Sequence, residues 1–96
     1  MPAVTRVGDN DTGHDACPPR PLGTGSGDVF VNKIKCGRQS DSYVAHGCIV
    51  HPPHTGIIAS GSSTVYVNGL QIGRIGDPVS CGGSVAVGSG DVYAGG

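Results

Sequence analysis

Residues 25–41 read GSGDVFVNKIKCGRQSD, and residues 61–77 read GSSTVYVNGLQIGRIGD. Placed over one another at a constant offset of 36, the two segments are identical at eight of 17 positions. The matches include Val-x-Val-Asn and Gly-Arg-x-x-Asp in one register, which a glycine-rich composition does not produce by chance. The chain therefore contains an internal repeat, and such a repeat indicates the architecture before any single motif does.

Half-copies of the same unit stand at the two ends of the chain. Residues 88–93 (GSGDVY) repeat residues 25–30 (GSGDVF), and residues 6–9 (RVGD) repeat residues 74–77 (RIGD). The chain thus opens with the back half of the unit and closes with its front half. If the two halves pair in space, they give a third unit and close a ring that hides sheet edges, which otherwise invite aggregation.

Each unit is predicted to be a β-hairpin. In the copy at 61–77, residues 65–67 alternate, Asn-Gly at 68–69 is the strongest short turn signal, and residues 70–72 form the second strand. The other full copy has Asn-Lys at 32–33 in the turn. Three hairpins around an axis predict an all-β, cone-shaped (pyramidal) body with pseudo-threefold symmetry. The alternative is two tandem hairpins in an ordinary small barrel.

The composition fits a single small domain spanning residues 1–96. Eighteen Gly and seven Pro disfavour helices, while a charged fraction of only 14% disfavours disorder. With no Trp and one Phe the core must be thin, so a staple such as a disulfide, a metal or a partner is expected. A net charge of −1 without a basic run argues against nucleic-acid binding. No apolar stretch approaches the roughly 20 residues of a membrane span, and no signal peptide is recognisable.

Metal-type ligands follow the repeat. Each unit ends in an aspartate, and a histidine or cysteine stands four or five residues later. The pairs are Asp9 and His14, Asp41 and His46, and Asp77 and Cys81. Equivalent points of a threefold body would each deliver one ligand toward the same axis. Imidazole and thiolate are the ligands that zinc prefers, and a structural zinc takes four of them.

The fourth ligand must come from elsewhere, and the segment at 47–55 (GCIVHPPHT) offers His51, His54 and Cys48. The four cysteines, which also include Cys17 and Cys36, permit a disulfide framework as an alternative, although the lack of a signal peptide favours a reducing compartment. Cys36 aligns with an isoleucine in the repeat and is expected to be a small buried hydrophobe.

Catalysis is not expected. No carboxylate is arranged to orient a histidine, and no Gly-x-Ser-x-Gly elbow occurs in the sequence. A catalytic zinc keeps an open coordination position, whereas this chain has more candidate ligands than a closed site needs. The glycine-rich stretch at 23–27 is not followed by the lysine and helix of a phosphate-binding loop.

The pattern resembles the PAAR-repeat proteins, which cap the spikes of contractile injection machines. The resemblance rests on residues 5–9 (TRVGD), 61–69 (GSSTVYVNG), 73–82 (GRIGDPVSCG) and 88–92 (GSGDV), and residues 13–19 (GHDACPP) look like the phage-type branch. The Pro-Ala-Ala-Arg tetrapeptide is not present literally, and the second unit ends Gln39-Ser40-Asp41 in place of Gly-Asp. The resemblance covers nearly the whole chain.

The resemblance implies a β cone whose apex is fixed by structural Zn²⁺. The implied ligands are His14, His46, His54 and Cys81, with His54 preferred to His51 because of its interval to the next Gly-Ser. The implied partner is a trimeric β-helical spike, which would carry one copy per trimer, and effector cargo is a further possible partner.

The expected function is a structural tip that caps and sharpens the spike of a phage tail or a type VI secretion system for membrane puncture, with transient contact to the target membrane. The alternative is a small zinc-binding adaptor that recruits cargo or effectors to a secretion spike. The protein is expected to be made in the bacterial cytoplasm and to act in a virion tail baseplate or a secretion spike, from which it is delivered extracellularly. It is expected to be a bare tip with no fused toxin.

Overall fold

The structure is a computed structural model that describes residues 1–13, 18–44, 46–48 and 51–96, the segments 46–48 and 51–54 at the level of the backbone. Six short strands pair into three two-stranded antiparallel sheets. The strands are β1 (Phe30–Val31), β2 (Ile34–Lys35), β3 (His46–Cys48), β4 (His51–His54), β5 (Tyr66–Val67) and β6 (Leu70–Gln71). The described residues contain no helix, and hence none that could cross a membrane. The predicted all-β class is confirmed.

The two full repeats form matching hairpins. Phe30 pairs with Lys35 in the β1–β2 hairpin, and Tyr66 pairs with Gln71 in the β5–β6 hairpin. Both turns have two central residues with positive φ, namely Asn32 (54°) and Lys33 (67°) in one and Asn68 (55°) and Gly69 (79°) in the other. This geometry matches the twist of a two-residue hairpin. Lys33 therefore adopts the same left-handed conformation that Gly69 adopts without strain.

The two half-copies pair as predicted and complete a third unit. Tyr93 bridges Ala3 in antiparallel fashion, and the amide of Val4 donates to the carbonyl of Val92 at 2.9 Å. The three units then join in a ring through equivalent bridges. These bridges are Arg6 to Cys36, Arg38 to Ile72 and Arg74 to Val4. The molecule measures 37 × 23 × 23 Å, and the two equal short dimensions agree with a pseudo-threefold axis along the long one.

A closed triangle of backbone hydrogen bonds surrounds that axis. The amide of Thr5 donates to the carbonyl of Gly73, the amide of Gly73 to Gly37, and the amide of Gly37 to Thr5, at 2.9–3.0 Å. A Cβ on Gly37 would lie 2.8 Å from Thr5 Cγ2, and a Cβ on Gly73 would lie 3.1 Å from the same methyl. Of the three equivalent positions around the axis, only one therefore has room for a side chain.

Two buried clusters lie on either side of this triangle. The hairpin cluster contains Val4, Val31, Cys36, Val67, Ile72 and Ala94. The second cluster contains Leu22, Tyr43, Ile58, Val79 and Val85. Cys36 is fully buried with a free thiol, as the repeat alignment predicted, and burial raises the pKa of that thiol. Two thin layers thus replace one large core.

Each unit carries the same Arg–Asp pair, which it uses to hold the next unit. The pairs are Arg6–Asp9 (2.8 Å), Arg38–Asp41 (2.9 Å) and Arg74–Asp77 (2.9 Å). The other end of each guanidinium reaches the hairpin turn of the following unit, at Asn32 Oδ1, Asn68 Oδ1 and the carbonyl of Gly95. A serine of each unit, Ser89, Ser26 or Ser62, donates to the same three oxygens. The ring is thereby closed by side chains as well as by backbone.

The departure of the second unit from Gly-Asp leaves its turn unchanged. Ser40 has a φ of 78°, close to the 94° of Gly8 and the 93° of Gly76 at the equivalent positions. The amide of Asp41 donates to the carbonyl of Arg38, as it does in the other two turns. A serine can adopt this conformation at some cost in strain, so the sequence difference does not alter the geometry.

The axial triangle predicts a specific coupling between Thr5 and Gly73. Gly73→Ala should destabilise the fold by about 1–3 kcal/mol, because the new methyl would lie 3.0 Å from Ile58 Cδ1 and 3.1 Å from Thr5 Cγ2. Thr5→Ser removes the Cγ2 methyl but retains the hydroxyl that donates to the carbonyl of Val87. The double variant should therefore be about 0.5–1.5 kcal/mol more stable than the sum of the single effects. Equilibrium denaturation of the four proteins measures this coupling.

The matched control pairs Thr5→Ser with Gly90→Ala, since a Cβ at Gly90 meets nothing within 4 Å. That pair should be additive. Additive behaviour of Thr5→Ser with Gly73→Ala would contradict the crowded axis.

Candidate functional site

The four predicted metal ligands differ in how far the structure describes them. Cys81 is described in full, whereas His46 and His54 are described by their backbone and His14 lies outside the described residues, as does Cys17. Among the described side chains, no three histidine, cysteine or acidic residues cluster as metal ligands. The residues that flank the ligands show which of these segments lie close together.

Cys81 lies in a tight turn beside the second cluster. The carbonyl of Val79 accepts the amide of Gly82 at 3.0 Å, and the Cys81 side chain packs against the cluster with its thiol free. Gly56 packs directly against this side chain: a Cβ on Gly56 would lie 2.8 Å from both Cys81 Sγ and Val79 Cγ1. The backbone two residues after β4 therefore contacts the thiol, and only glycine fits there.

The β3–β4 hairpin brings the next two candidate ligands together. Its backbone register places His46 opposite His54, and Cys48 opposite His51, with an irregularity between the two pairs. Since β4 ends at His54 and Gly56 contacts Cys81, the His46–His54 pair lies at the end of the hairpin that adjoins the thiol. His51 belongs to the pair farther along the hairpin. This register favours His54 over His51 as a neighbour of Cys81.

The segment that precedes His14 packs on the turn that follows Cys81. The amide of Thr12 donates to the carbonyl of Ser84 at 2.8 Å, and the amide of Ser84 donates to Thr12 Oγ1 at 3.0 Å. A Cβ on Gly83 would lie 2.5 Å from the carbonyl oxygen of Gly13. The described chain therefore passes next to the Cys81 turn at Gly13, the residue before His14.

These contacts place Gly13, Gly56 and the His54 end of β4 beside the Cys81 turn, and this part of the molecule is here called the cysteine end. The nitrogen and sulfur donors of the four candidate ligands suit tetrahedral zinc. Two buried polar side chains of this end, Asp11 and Tyr43, were not predicted from the sequence. Asp11 could have been recognised, because Asp-Thr-Gly directly before a histidine is a local turn signal. Tyr43 has no comparable signal.

The opposite end presents aromatic side chains at equivalent positions of the three units. Phe30, Tyr66 and Tyr93 are 52%, 56% and 51% exposed, and each neighbours a buried residue of the hairpin cluster. The three aromatic residues therefore lie on the hairpin-cluster side of the molecule, whereas Cys81 packs against the second cluster. We call Phe30, Tyr66 and Tyr93 the aromatic ring. The repeat alignment matched these positions without assigning them a role.

Comparison with known proteins gives one family and several relatives. The sequence model of the family described as "PAAR motif" matches residues 12–87. The chain is 36% identical over 70 residues to double-stranded DNA deaminase toxin A of Burkholderia cenocepacia, covering 73% of this chain and 5% of that protein. It is also 36% identical over 78 residues to the NAD(P)(+) glycohydrolase toxin Tse6 and to the (p)ppApp synthetase toxin Tas1, both of Pseudomonas aeruginosa, covering 75% of this chain and 18% of each toxin.

The chain thus spans a small fraction of the curated relatives it matches. Their names describe three different enzymatic activities, while each is 36% identical to this chain over 70 or 78 residues. The similarity therefore concerns a common domain, and the three activities do not follow from it.

The contact between Gly56 and Cys81 predicts that Gly56→Ala displaces the thiol. We expect a loss of about 1–3 kcal/mol of unfolding free energy, because the methyl overlaps two side chains. The reactivity of the Cys81 thiol toward a disulfide reagent should change at the same time. Gly27→Ala serves as the control, since a Cβ there meets nothing within 4 Å, and should change neither quantity. A Gly56→Ala protein with wild-type stability and thiol reactivity would contradict this packing.

Proposed function

The chain belongs to the PAAR motif family, and on that premise we propose that it is the tip of an injection spike. In this role it caps and sharpens the trimeric β-helical spike of a contractile machine, a phage tail or a type VI secretion system, for membrane puncture. The observation that carries the proposal is the pseudo-threefold body closed from a single chain. Three similar contact surfaces on one molecule suit three identical subunits of a trimer, whereas an asymmetric domain would satisfy one subunit well.

The proposed contact surface is the hairpin end with its aromatic ring. Exposed aromatic side chains at three equivalent positions provide apolar area in the symmetry that the spike would present. Apolar side chains near them add to this surface, including Val29, Ile34 and Val65 at 37% exposure. The net charge of −1 fits a contact that depends on burial and shape.

The proposed cofactor is one structural Zn²⁺ at the cysteine end, held by His14, His46, His54 and Cys81. The fit rests on the free thiol of Cys81, on the register that pairs His46 with His54, and on the packing of Gly13 and Gly56 around the Cys81 turn. A narrow tip has little volume for an apolar core, and structural zinc contributes on the order of 10 kcal/mol to folding. The metal would thus stabilise the tip beyond the second cluster.

A second candidate function is effector carriage. The relatives are toxins in which the matched region is only 5% or 18% of the protein. This supports a role in which a domain of this kind recruits or carries a toxin to a secretion spike, from which it is delivered outside the cell. In both candidate functions the domain itself is structural, and any enzymatic activity belongs to its cargo.

The zinc proposal predicts that Cys81→Ser lowers metal content and thermal stability together, because a coordinating thiolate is lost. Elemental analysis and native mass spectrometry of the purified protein measure the zinc per chain. Cys36→Ala is the matched control: it removes a buried thiol of the hairpin cluster and should retain one zinc. Full zinc occupancy in Cys81→Ser would overturn the ligand assignment. Zinc retained in His54→Ala but released in His51→Ala would replace the fourth ligand.

The partner proposal predicts one copy bound per spike trimer, measured by native mass spectrometry with a trimeric β-helical spike fragment. Tyr66→Ala should weaken binding by about 1–3 kcal/mol if the ring is buried in the contact. Ile57→Ala, which removes an exposed apolar side chain at the cysteine end, should bind like wild type. Three copies per trimer, or binding that vanishes in moderate salt, would contradict the tip and favour the adaptor.

A further inference from the structure

Asn68 and Gly69 form the exposed turn of the β5–β6 hairpin. In an Asn-Gly dipeptide the asparagine side chain can react with the next backbone nitrogen, because glycine neither shields that nitrogen nor restricts the backbone. The amide of Gly69 donates to no group among the described residues, and a Cβ at Gly69 would meet nothing within 4 Å. The turn therefore presents an accessible backbone nitrogen next to the Asn68 side chain.

The side chain of Asn68 is held by the neighbouring repeat unit, residues 25–41. Its Oδ1 accepts hydrogen bonds from Ser26 Oγ (2.8 Å) and Arg38 Nη1 (3.1 Å). Its Nδ2 donates to Asp28 Oδ1 at 2.9 Å, and this hydrogen bond is the largest cause of the lowered pKa of Asp28. We call these three contacts the Asn68 joint. They fix both ends of the amide that the Gly69 nitrogen would attack.

The turn of the first unit has the same hydrogen bonds but a different second residue. Asn32 Oδ1 accepts from Ser89 Oγ and Arg6 Nη1, and Asn32 Nδ2 donates to Asp91 Oδ1 at 2.8 Å. The φ angles of the two turn asparagines are 54° and 55°. The residue after Asn32 is Lys33, whose side chain shields its amide nitrogen. The chain thus contains two matched turns that differ in the residue on which the reaction depends.

We propose that Asn68 is a deamidation site whose reaction is controlled by opening of the Asn68 joint. The Gly69 nitrogen attacks Asn68 Cγ, the Cγ–Nδ2 bond breaks, and Nδ2 leaves as ammonia with the proton that the Gly69 amide gives up through solvent. Water then hydrolyses the five-membered succinimide to an aspartate or an isoaspartate at position 68. The side chain must leave its three partners before Cγ turns toward the nitrogen, so the closed joint slows the reaction.

The product changes a hydrogen bond of the joint into a repulsion. A carboxylate oxygen at position 68 would replace Nδ2, which now donates to Asp28 Oδ1 at 2.9 Å. Two carboxylates at such a distance disfavour each other's charged form. An isoaspartate also adds one methylene to the backbone of the turn. Because Tyr66 of the aromatic ring lies in the same hairpin, deamidation would disturb the exposed hairpin end of the molecule.

The experiment compares the two turns within one chain. The full chain is incubated in mildly alkaline buffer, both folded and in denaturant, and peptide mass spectrometry follows deamidation at positions 32 and 68. An isoaspartyl methyltransferase assay identifies the isoaspartate product. Asp28→Ala removes the acceptor of Asn68 Nδ2, and Asp91→Ala is its matched control in the other turn, since both carboxylates are exposed. Lys33→Gly creates a second Asn-Gly turn.

We expect Asn68 to deamidate about 10–1000-fold more slowly in the folded chain than in the denatured chain, as for a joint that is open in roughly 0.1–10% of molecules. Asp28→Ala should accelerate the reaction at Asn68 in the folded chain, whereas Asp91→Ala should leave that rate unchanged. Lys33→Gly should make Asn32 react at a rate comparable with that of Asn68. Adding Asp91→Ala to Lys33→Gly should then accelerate the reaction at Asn32 alone.

Equal rates at Asn68 in the folded and denatured chains would overturn control by the joint. Equal rates at Asn32 and Asn68 in the denatured wild-type chain would overturn the assignment of Asn68 as the reactive site. If Asp28→Ala and Asp91→Ala accelerated the reaction at Asn68 equally, global stability would account for the protection, and the inference would fail as well. The reaction needs neither a metal nor a spike, so each of these outcomes leaves the proposed function unaffected.

Discussion

The rest of this fold depends on three backbone hydrogen bonds around one axis, which link Thr5, Gly37 and Gly73. Backbones that approach so closely leave room for one side chain, that of Thr5, which is fully buried and donates to the carbonyl of Val87. Perfect threefold symmetry would require glycine at all three positions or a larger ring. A single chain can place glycine at two of these positions and threonine at the third, so that one side chain fills the axis. In a symmetric trimer the axis would hold either no side chain or three.

The same constraint explains why polar contacts carry so much of the structure. Strands of two residues and two thin apolar clusters give little burial, and no hairpin of this length is stable alone. Each unit is therefore held to its neighbour by an arginine, which binds both the aspartate of its own unit and the hairpin turn of the next unit. In the third unit the carbonyl of Gly95 takes the place of the asparagine oxygen. A backbone carbonyl thus replaces an asparagine side chain in this unit, and the hydrogen bond from the arginine is kept.

The internal repeat made the architecture predictable from the sequence. The roles of residues that differ between the units could be recognised only in the folded structure. Pairing of the terminal half-copies followed from residues 6–9 and 88–93, because identical segments adopt equivalent places in a closed ring. The burial of Cys36 followed from its alignment with Ile72. The packing of Thr5 and the hydrogen bonds of Asp11 could not be predicted in this way. The first depends on distances across the axis, and the second depends on Gly13 and Arg20, which both donate to Asp11 only in the folded chain. Spacing suggested three of the metal ligands and the family resemblance supplied the full set. The described backbone places Gly13 and Gly56 beside the Cys81 turn and pairs His46 with His54.

Broken symmetry would also have a chemical use in the proposed zinc site. A threefold axis supplies equivalent ligands in multiples of three, but a closed tetrahedral zinc site needs four. In the proposed site three ligands follow the Asp that ends each unit, and the fourth comes from β4, in a segment that has no counterpart in the other units. The segment that carries this fourth ligand can pass beside the Cys81 thiol because residue 56 is glycine. Any side chain at Gly56 would collide with Cys81. In the proposed function, approximate symmetry would let one chain fit a trimeric partner at the hairpin end. The departure from that symmetry would let the same chain close a four-ligand site at the cysteine end.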